Sequence, residues 1–189
     1  PSPLQLEPIS LAEFVLSDAT YQTALTLARH GLWSESWQWF QSLQKTGKPQ
    51  HWSAQAQAQI DMIRWHSQAT ETQANQSWAS PSQQILADLI DGRWANALQV
   101  FESSAETSLE TKTMLKADVG RLEKRVKAAL RVNPDQLEAK TWGALWVAAR
   151  TDRNRALLWL KKQPHTKPGD ITKIAKVLQQ FAALPPDPP

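Results

Sequence analysis

The side chains able to do chemistry are few and scattered along the chain. His30, His51, His66 and His165 show no pair at the three- or four-residue spacing that puts two imidazoles on one helix face, and no Glu stands beside them at ligand spacing. With 0 Cys there is no disulfide framework, thiolate metal ligand or cysteine nucleophile. Asp88 with Asp91, and Glu102 with Glu106, are spaced about one helical turn apart, where an acid could in principle face a base; solvated helix faces account for them better. The 6 Gly are dispersed as helix stops and form no phosphate-cradling loop or nucleophile elbow. The sequence therefore leads us to expect no catalytic residues, no metal and no cofactor.

Charge is the more informative chemistry. Positions 1–110 hold 5 Lys and Arg against 11 Asp and Glu, whereas positions 111–189 hold 16 against 7. Lys116, Arg121, Lys124, Arg125, Lys127 and Arg131 avoid the apolar stripe of their segment and form a basic outer face, to which Arg150, Arg153, Arg155, Lys161 and Lys162 add. Such a face suits an acidic protein surface, anionic lipid heads or nucleic acid. The basic segments lack the interleaved exposed aromatics and Gly-rich reading loops of nucleic-acid binders, which makes nucleic acid the alternative to a protein partner.

The elements that carry these groups are helices. Hydrophobic residues make up 41% of the 189 positions and charged ones 21%, a globular balance, and Ala, Leu and Gln dominate where a β fold would need more Val, Ile, Thr, Tyr and Gly. Periodicity and stop signals divide the chain into about nine helical segments. Asp18 caps a segment running to His30, and Gly31 stops it. Trp33 opens a second helix through Leu43, closed by Gly47 and Pro49; a third from Ser53 carries Ala56, Ile60 and Ile63 on one face and Met62, Trp65 and Ala69 on the next, so burial on two sides is expected. The polar stretch 70–80 reads as a loop. Ser80-Pro81 starts a helix that ends at Gly92, and Trp94 opens another through Ser103. A long stretch from Ser108 to Arg131 follows, its stripe made of Leu115, Val119, Leu122, Val126 and Ala129, with Gly120 as a point of division. Asn133-Pro134 begins the next helix, Arg153 to Lys162 forms another, and Pro168-Gly169-Asp170 caps a last one with Ile171, Ile174, Leu178 and Phe181 inward.

One junction recurs. Gly31, Trp33, Ser36 and Phe40 align with Gly92, Trp94, Ala97 and Phe101, 61 residues later; a third copy 59 residues on keeps Ala156 and Leu160 but has Thr151 in place of the glycine. Glycine turns the chain, the ring fills the corner, the small residue lets two helices approach and the last residue plugs the next layer. The pattern resembles the second-helix half of a tetratricopeptide repeat, and Ala129-Leu130-Arg131-Val132-Asn133-Pro134 is similar to that family's repeat ending. These matches cover about a third of the chain. The spacing is near 60, not the family's ~34, which favours units of three helices, or hairpins alternating with degenerate ones, over regular family repeats. The resemblance implies an all-α, right-handed α-solenoid of helical hairpins, and by analogy a surface that holds a protein partner.

The expected organisation is one helical-repeat domain over 11–184, in units 18–76, 80–132 and 133–184, between proline-containing linkers at 1–10 and 185–189 that would join it to a longer protein. No apolar run approaches the ~20 residues of a membrane helix. The expected function is a scaffold or adaptor that binds a peptide or subunit, an acidic one, through the aromatics Trp37, Trp39, Trp65 and Trp146 and the cations Arg121, Arg125, Arg150 and Arg153.

Overall fold

The computed structural model describes residues 8–45, 52–78, 80–103 and 105–182. Among them the chain is all-helical, with ten helices: α1 (Ala19–Arg29), α2 (Trp33–Lys45), α3 (Ala54–Ala74), α4 (Pro81–Asp91), α5 (Trp94–Glu102), α6 (Ala105–Ala117), α7 (Arg121–Val132), α8 (Leu137–Arg150), α9 (Arg153–Lys161) and α10 (Pro168–Ala182). Gly47, Pro49 and residues 183–189, with the first seven residues, lie outside the described part. No described helix is long and apolar enough to cross a membrane.

The helix starts follow from local side chains. Asp18, Ser53, Ser80 and Asp152 each accept a bond from the backbone N–H three residues on, relieving an end donor that the helix cannot satisfy itself. The two glycine junctions share one geometry. At Gly31 (φ +76°) the N–H of Leu32 donates to Leu27 and that of Gly31 to Ala28; at Gly92 (φ +78°) the N–H of Arg93 donates to Asp88 and that of Gly92 to Leu89. Both are left-handed Schellman closures at the same offset. The third copy closes without one, since Thr151 has φ −130° and its N–H reaches only Val147.

Ser36, Ala97 and Ala156 are fully buried, and Phe40, Phe101 and Leu160 lie under them in the core, so the small-then-bulky half of the motif packs alike in all three copies. The rings differ. Trp94 is buried, whereas Trp33 is half-exposed and stacks on His66 with centroids 4.3 Å apart.

Two apolar cores result. Tyr21, Leu25, Phe40, Ile60 and Ile63 pack α1, α2 and α3 together, with the Tyr21 hydroxyl donating to Gln59. A larger core runs from Leu27 and Leu32 through α4 to α10, and α8 passes through its middle against α5, α6, α7, α9 and α10. Gly143 is what allows that crowding: the ring of Trp159 lies against the α8 backbone in space that any Cβ would claim. Phe101 meets Trp142 and Phe181 edge to face at 5.8 and 5.6 Å.

Four expectations are corrected. Helix α3 continues to Ala74, through half of the stretch read as a loop, because Ser67 bonds Ser34 of α2 and Thr70 bonds Asp91 of α4, so a polar seam replaces the apolar stripe there. The long segment divides at Gly120 (φ +93°) as expected, but Val119 falls in the turn between α6 and α7 and is 81% exposed instead of in the stripe. Asn133-Pro134 forms a turn, and α8 begins only at Leu137. On α3, Trp65 is 64% exposed and Ala69 is exposed, so that helix buries one face, not two.

Candidate functional site

The seam between the two cores is where polar groups concentrate. Asp91, at the C-terminus of α4, accepts from the backbone N–H of Ser34 at 3.3 Å and from the hydroxyls of Ser34 and Thr70, each at 2.6 Å. It thereby satisfies an orphan donor at the N-terminus of α2 from another helix. Arg93 reaches Asn75 at 3.0 Å and Asp88 at 3.4 Å. Trp94 spans the seam: its indole N–H donates to Glu35 Oε2 at 3.3 Å, and its own carbonyl accepts from the indole of Trp142 at 3.0 Å.

Asp88 and Asp91, expected on a solvated helix face, are instead buried with Glu35 in this seam, because α4 packs that face against α2 and α3, and burial raises all three carboxylates. Glu35 is pushed up to about 7, opposed by the bond from Trp94. Asp88 rises to about 6, opposed by Arg93 and assisted by Asp91. Asp91 is raised as well, against the bonds from Ser34 and Thr70. Glu35 thus changes charge across the neutral range and can present either a hydroxyl donor or an anionic acceptor. Nothing in the sequence marked it as more than a surface glutamate; its one signal is that it stands immediately before the small residue of the repeated junction, where the second copy has Asn96.

Glu35 lines an open cavity of about 480 Å³. Its walls are Trp37, Gln38 and Gln41 of α2, Ser67 and Glu71 of α3, Arg93, Trp94 and Asn96 at the start of α5, and Gln136 and Glu138 at the start of α8. A smaller cavity of about 310 Å³ shares Ala95 and Glu138 with it and adds Glu102. Among the described residues no group of three or more acidic or histidine side chains is placed to hold a metal ion.

A second groove has the opposite character. Leu86 and Ile90 stand one turn apart on the outer face of α4, 43% and 42% exposed, while Ile85 and Leu89 face the core. They wall two adjoining cavities. One, of about 220 Å³, is completed by Met114, Leu115, Asp118, Arg121, Leu122 and Arg125; the other, of about 360 Å³, by Trp78, Ala87, Thr70, Gln73 and Gln83.

The side chains expected to hold a partner are dispersed between these places. Arg121 and Arg125 rim the apolar groove. Arg125 extends past α7 to the Gly31 turn, so its guanidinium is half-buried, and that desolvation lowers its pKa against the pull of Asp118. Trp146 and Arg150 also gather at Asp118: the indole donates to its carboxylate at 3.0 Å, and Arg150 closes the end of α6 through the carbonyls of Lys116 and Asp118 while lying over the Trp146 ring. Trp37 belongs to the polar cavity, Trp39 packs between both cores, and Trp65 stands alone on α3. Arg153 lines a separate cavity of about 280 Å³ with Lys112 and Lys116. The residues sequence reasoning did not single out are Leu86, Ile90 and Glu35; the run Ile85-Leu86-Ala87-Asp88-Leu89-Ile90 carries two apolar pairs, and nothing in it says which faces out.

Compared with known proteins, the chain matches no protein-family model, no curated protein and no solved structure.

Proposed function

We propose that this chain is a non-catalytic protein-binding domain, a degenerate stack of helical hairpins akin to tetratricopeptide repeats, which holds an apolar segment bearing acidic side chains in the groove along α4, α6 and α7. The observation that carries the reading is the exposed pair Leu86 and Ile90, which joins two cavities and leaves apolar surface uncovered beside the cations of Arg121 and Arg125. Burying the exposed part of both side chains against a partner would contribute about 1 kcal/mol each. The arginines select the sign of the partner's charge more than they add affinity. Helical hairpins support the same reading by analogy, through the recurring Gly31 and Gly92 closures.

The test is capture from extract by the full chain and by a double variant, Leu86→Asp with Ile90→Asp, with nuclease treatment at low and moderate salt. A discrete protein retained by the parent and lost by the variant, at unchanged helical content, is the expected result. Capture that is identical for both, or recovery of nucleic acid alone that vanishes with nuclease, would contradict it and move attention to the basic C-terminal face.

A further inference from the structure

The polar cavity between α2, α3, α5 and α8 has a charge pattern that the apolar groove does not explain. Glu35 is the centre of it. Only 8% of that residue is exposed, yet it lines the cavity wall, and its single hydrogen bond among the described residues is the 3.3 Å one from Trp94 to Oε2. A carboxylate offers about four acceptor positions, so most of its capacity is unused. Among the described residues no cation is paired with it. Arg93, the one cation on the cavity wall among the described residues, is directed at Asp88 and Asn75.

The charged groups that share the cavity wall with Glu35 are Glu71 of α3, Arg93 before α5 and Glu138 of α8, while Asp88 and Asp91 of α4 lie behind it in the seam, on Arg93 and on Ser34 and Thr70. Glu102 extends the acidic edge through the adjoining cavity. The remaining walls are amides and indoles: Gln38, Gln41, Asn96 and Gln136, with Trp37 and Trp94. Side-chain amides pair with peptide groups in both directions, and indole faces attract cations.

We infer that this cavity is a second protein-binding surface, which receives a basic peptide segment by placing an Arg or Lys side chain against Glu35 between Trp37 and Trp94, with Glu71 and Glu138 flanking and the amides holding the peptide backbone. The incoming cation supplies the partner that the buried carboxylate lacks. Binding is therefore coupled to ionisation of Glu35: a proton leaves as the cation arrives. Since Glu35 is otherwise pushed up to about 7, capture strengthens as pH rises through neutrality. This surface is independent of Leu86 and Ile90.

The experiment titrates the full 189-residue chain with a short acetylated and amidated peptide of alternating Arg and Ala, followed by calorimetry and tryptophan emission at low salt. The same peptide with Glu for Arg, and spermidine, serve as controls. The expected result is saturable binding of the Arg peptide, about tenfold tighter near pH 8 than near pH 6, with proton release near pH 7. Glu35→Gln keeps an acceptor for Trp94 and should weaken binding at least about tenfold near pH 8 and abolish the pH dependence. Glu138→Gln, at the cavity mouth, should weaken it by a smaller factor. Leu86→Asp with Ile90→Asp should leave it unchanged. No binding of the Arg peptide, equal binding of the Glu peptide, or an unaltered affinity in Glu35→Gln would each overturn the proposal. Spermidine binding as tightly as the peptide would overturn the part assigned to the amides.

Discussion

The two grooves meet at the C-terminal turn of α4, where Ile90 walls one and Gly92 the other, yet they are built from opposite chemistry. The groove along α4, α6 and α7 is lined by Leu86, Ile90, Met114 and Leu122 with arginines at its rim. The cavity between α2, α3, α5 and α8 is lined by amides, indoles and carboxylates. Between them lies Asp91, fully buried and bonded to Ser34 and Thr70. The difference shows how one polar seam lets a small helical protein carry surfaces of both signs. Charge that would otherwise attract across the molecule is held apart by a buried carboxylate already satisfied by hydroxyls and a helix end.

The severest way to break this arrangement is Trp94→Ala. Trp94 is buried, donates to Glu35 and receives Trp142, so its loss should destabilise the chain by about 3–5 kcal/mol in urea unfolding and disturb both grooves at once. A cost near 1 kcal/mol would mean that the seam is not the joint. Next in size, Leu86→Asp with Ile90→Asp should weaken a partner of the apolar groove by about 2 kcal/mol or more, while the melting temperature holds, because both side chains are exposed in the free chain.

Glu35→Gln sharpens the contrast through pH. Glu35, Asp88 and Asp91 all bind protons more tightly folded than unfolded, where carboxylates titrate at the ordinary 4.5 and 3.8. Their contribution is therefore fully present below about pH 4 and is lost as pH rises toward about 7. The Gln variant removes the largest share of that slope. Near pH 8 it should be more stable than the parent by on the order of 1–3 kcal/mol, and near pH 4 no more stable, as read from urea midpoints at the two values. The smallest effect is expected from Arg121→Glu, an exposed rim charge, which should slow capture of an acidic partner by several-fold and flatten its salt dependence, with little change in dissociation rate.

How much of this was legible in the sequence depends on whether the signal was local. The caps at Asp18 and Ser80 and the left-handed stops at Gly31 and Gly92 are set within a few residues, and the chain obeys them. The inward stripe Ile174, Leu178 and Phe181 of α10 is equally local. What failed needed a neighbour. The second half of α3 looks like a loop because its contacts are hydroxyl to carboxylate, and Asp91 stands 21 residues from Thr70. Val119 fits the stripe by spacing, but a left-handed Gly120 next to it ends that helix. The proposed binding surfaces were the least legible. Arg121 and Arg125 were picked out by charge, but the apolar pair they border and the glutamate in the other groove acquire meaning only when α4 and α8 close around them.

The central claim, two independent binding faces of opposite character on one helical domain, is tested most directly by simultaneous occupancy. The chain would be saturated with an amphipathic Leu and Glu peptide and then titrated with the Arg and Ala peptide, in the parent, in Leu86→Asp with Ile90→Asp, and in Glu35→Gln. The account predicts that the parent binds both at once with unchanged affinities, that the first variant loses only the acidic peptide and that the second loses only the basic one. Competition between the two peptides, or one variant that abolishes both at intact helical content, would contradict it.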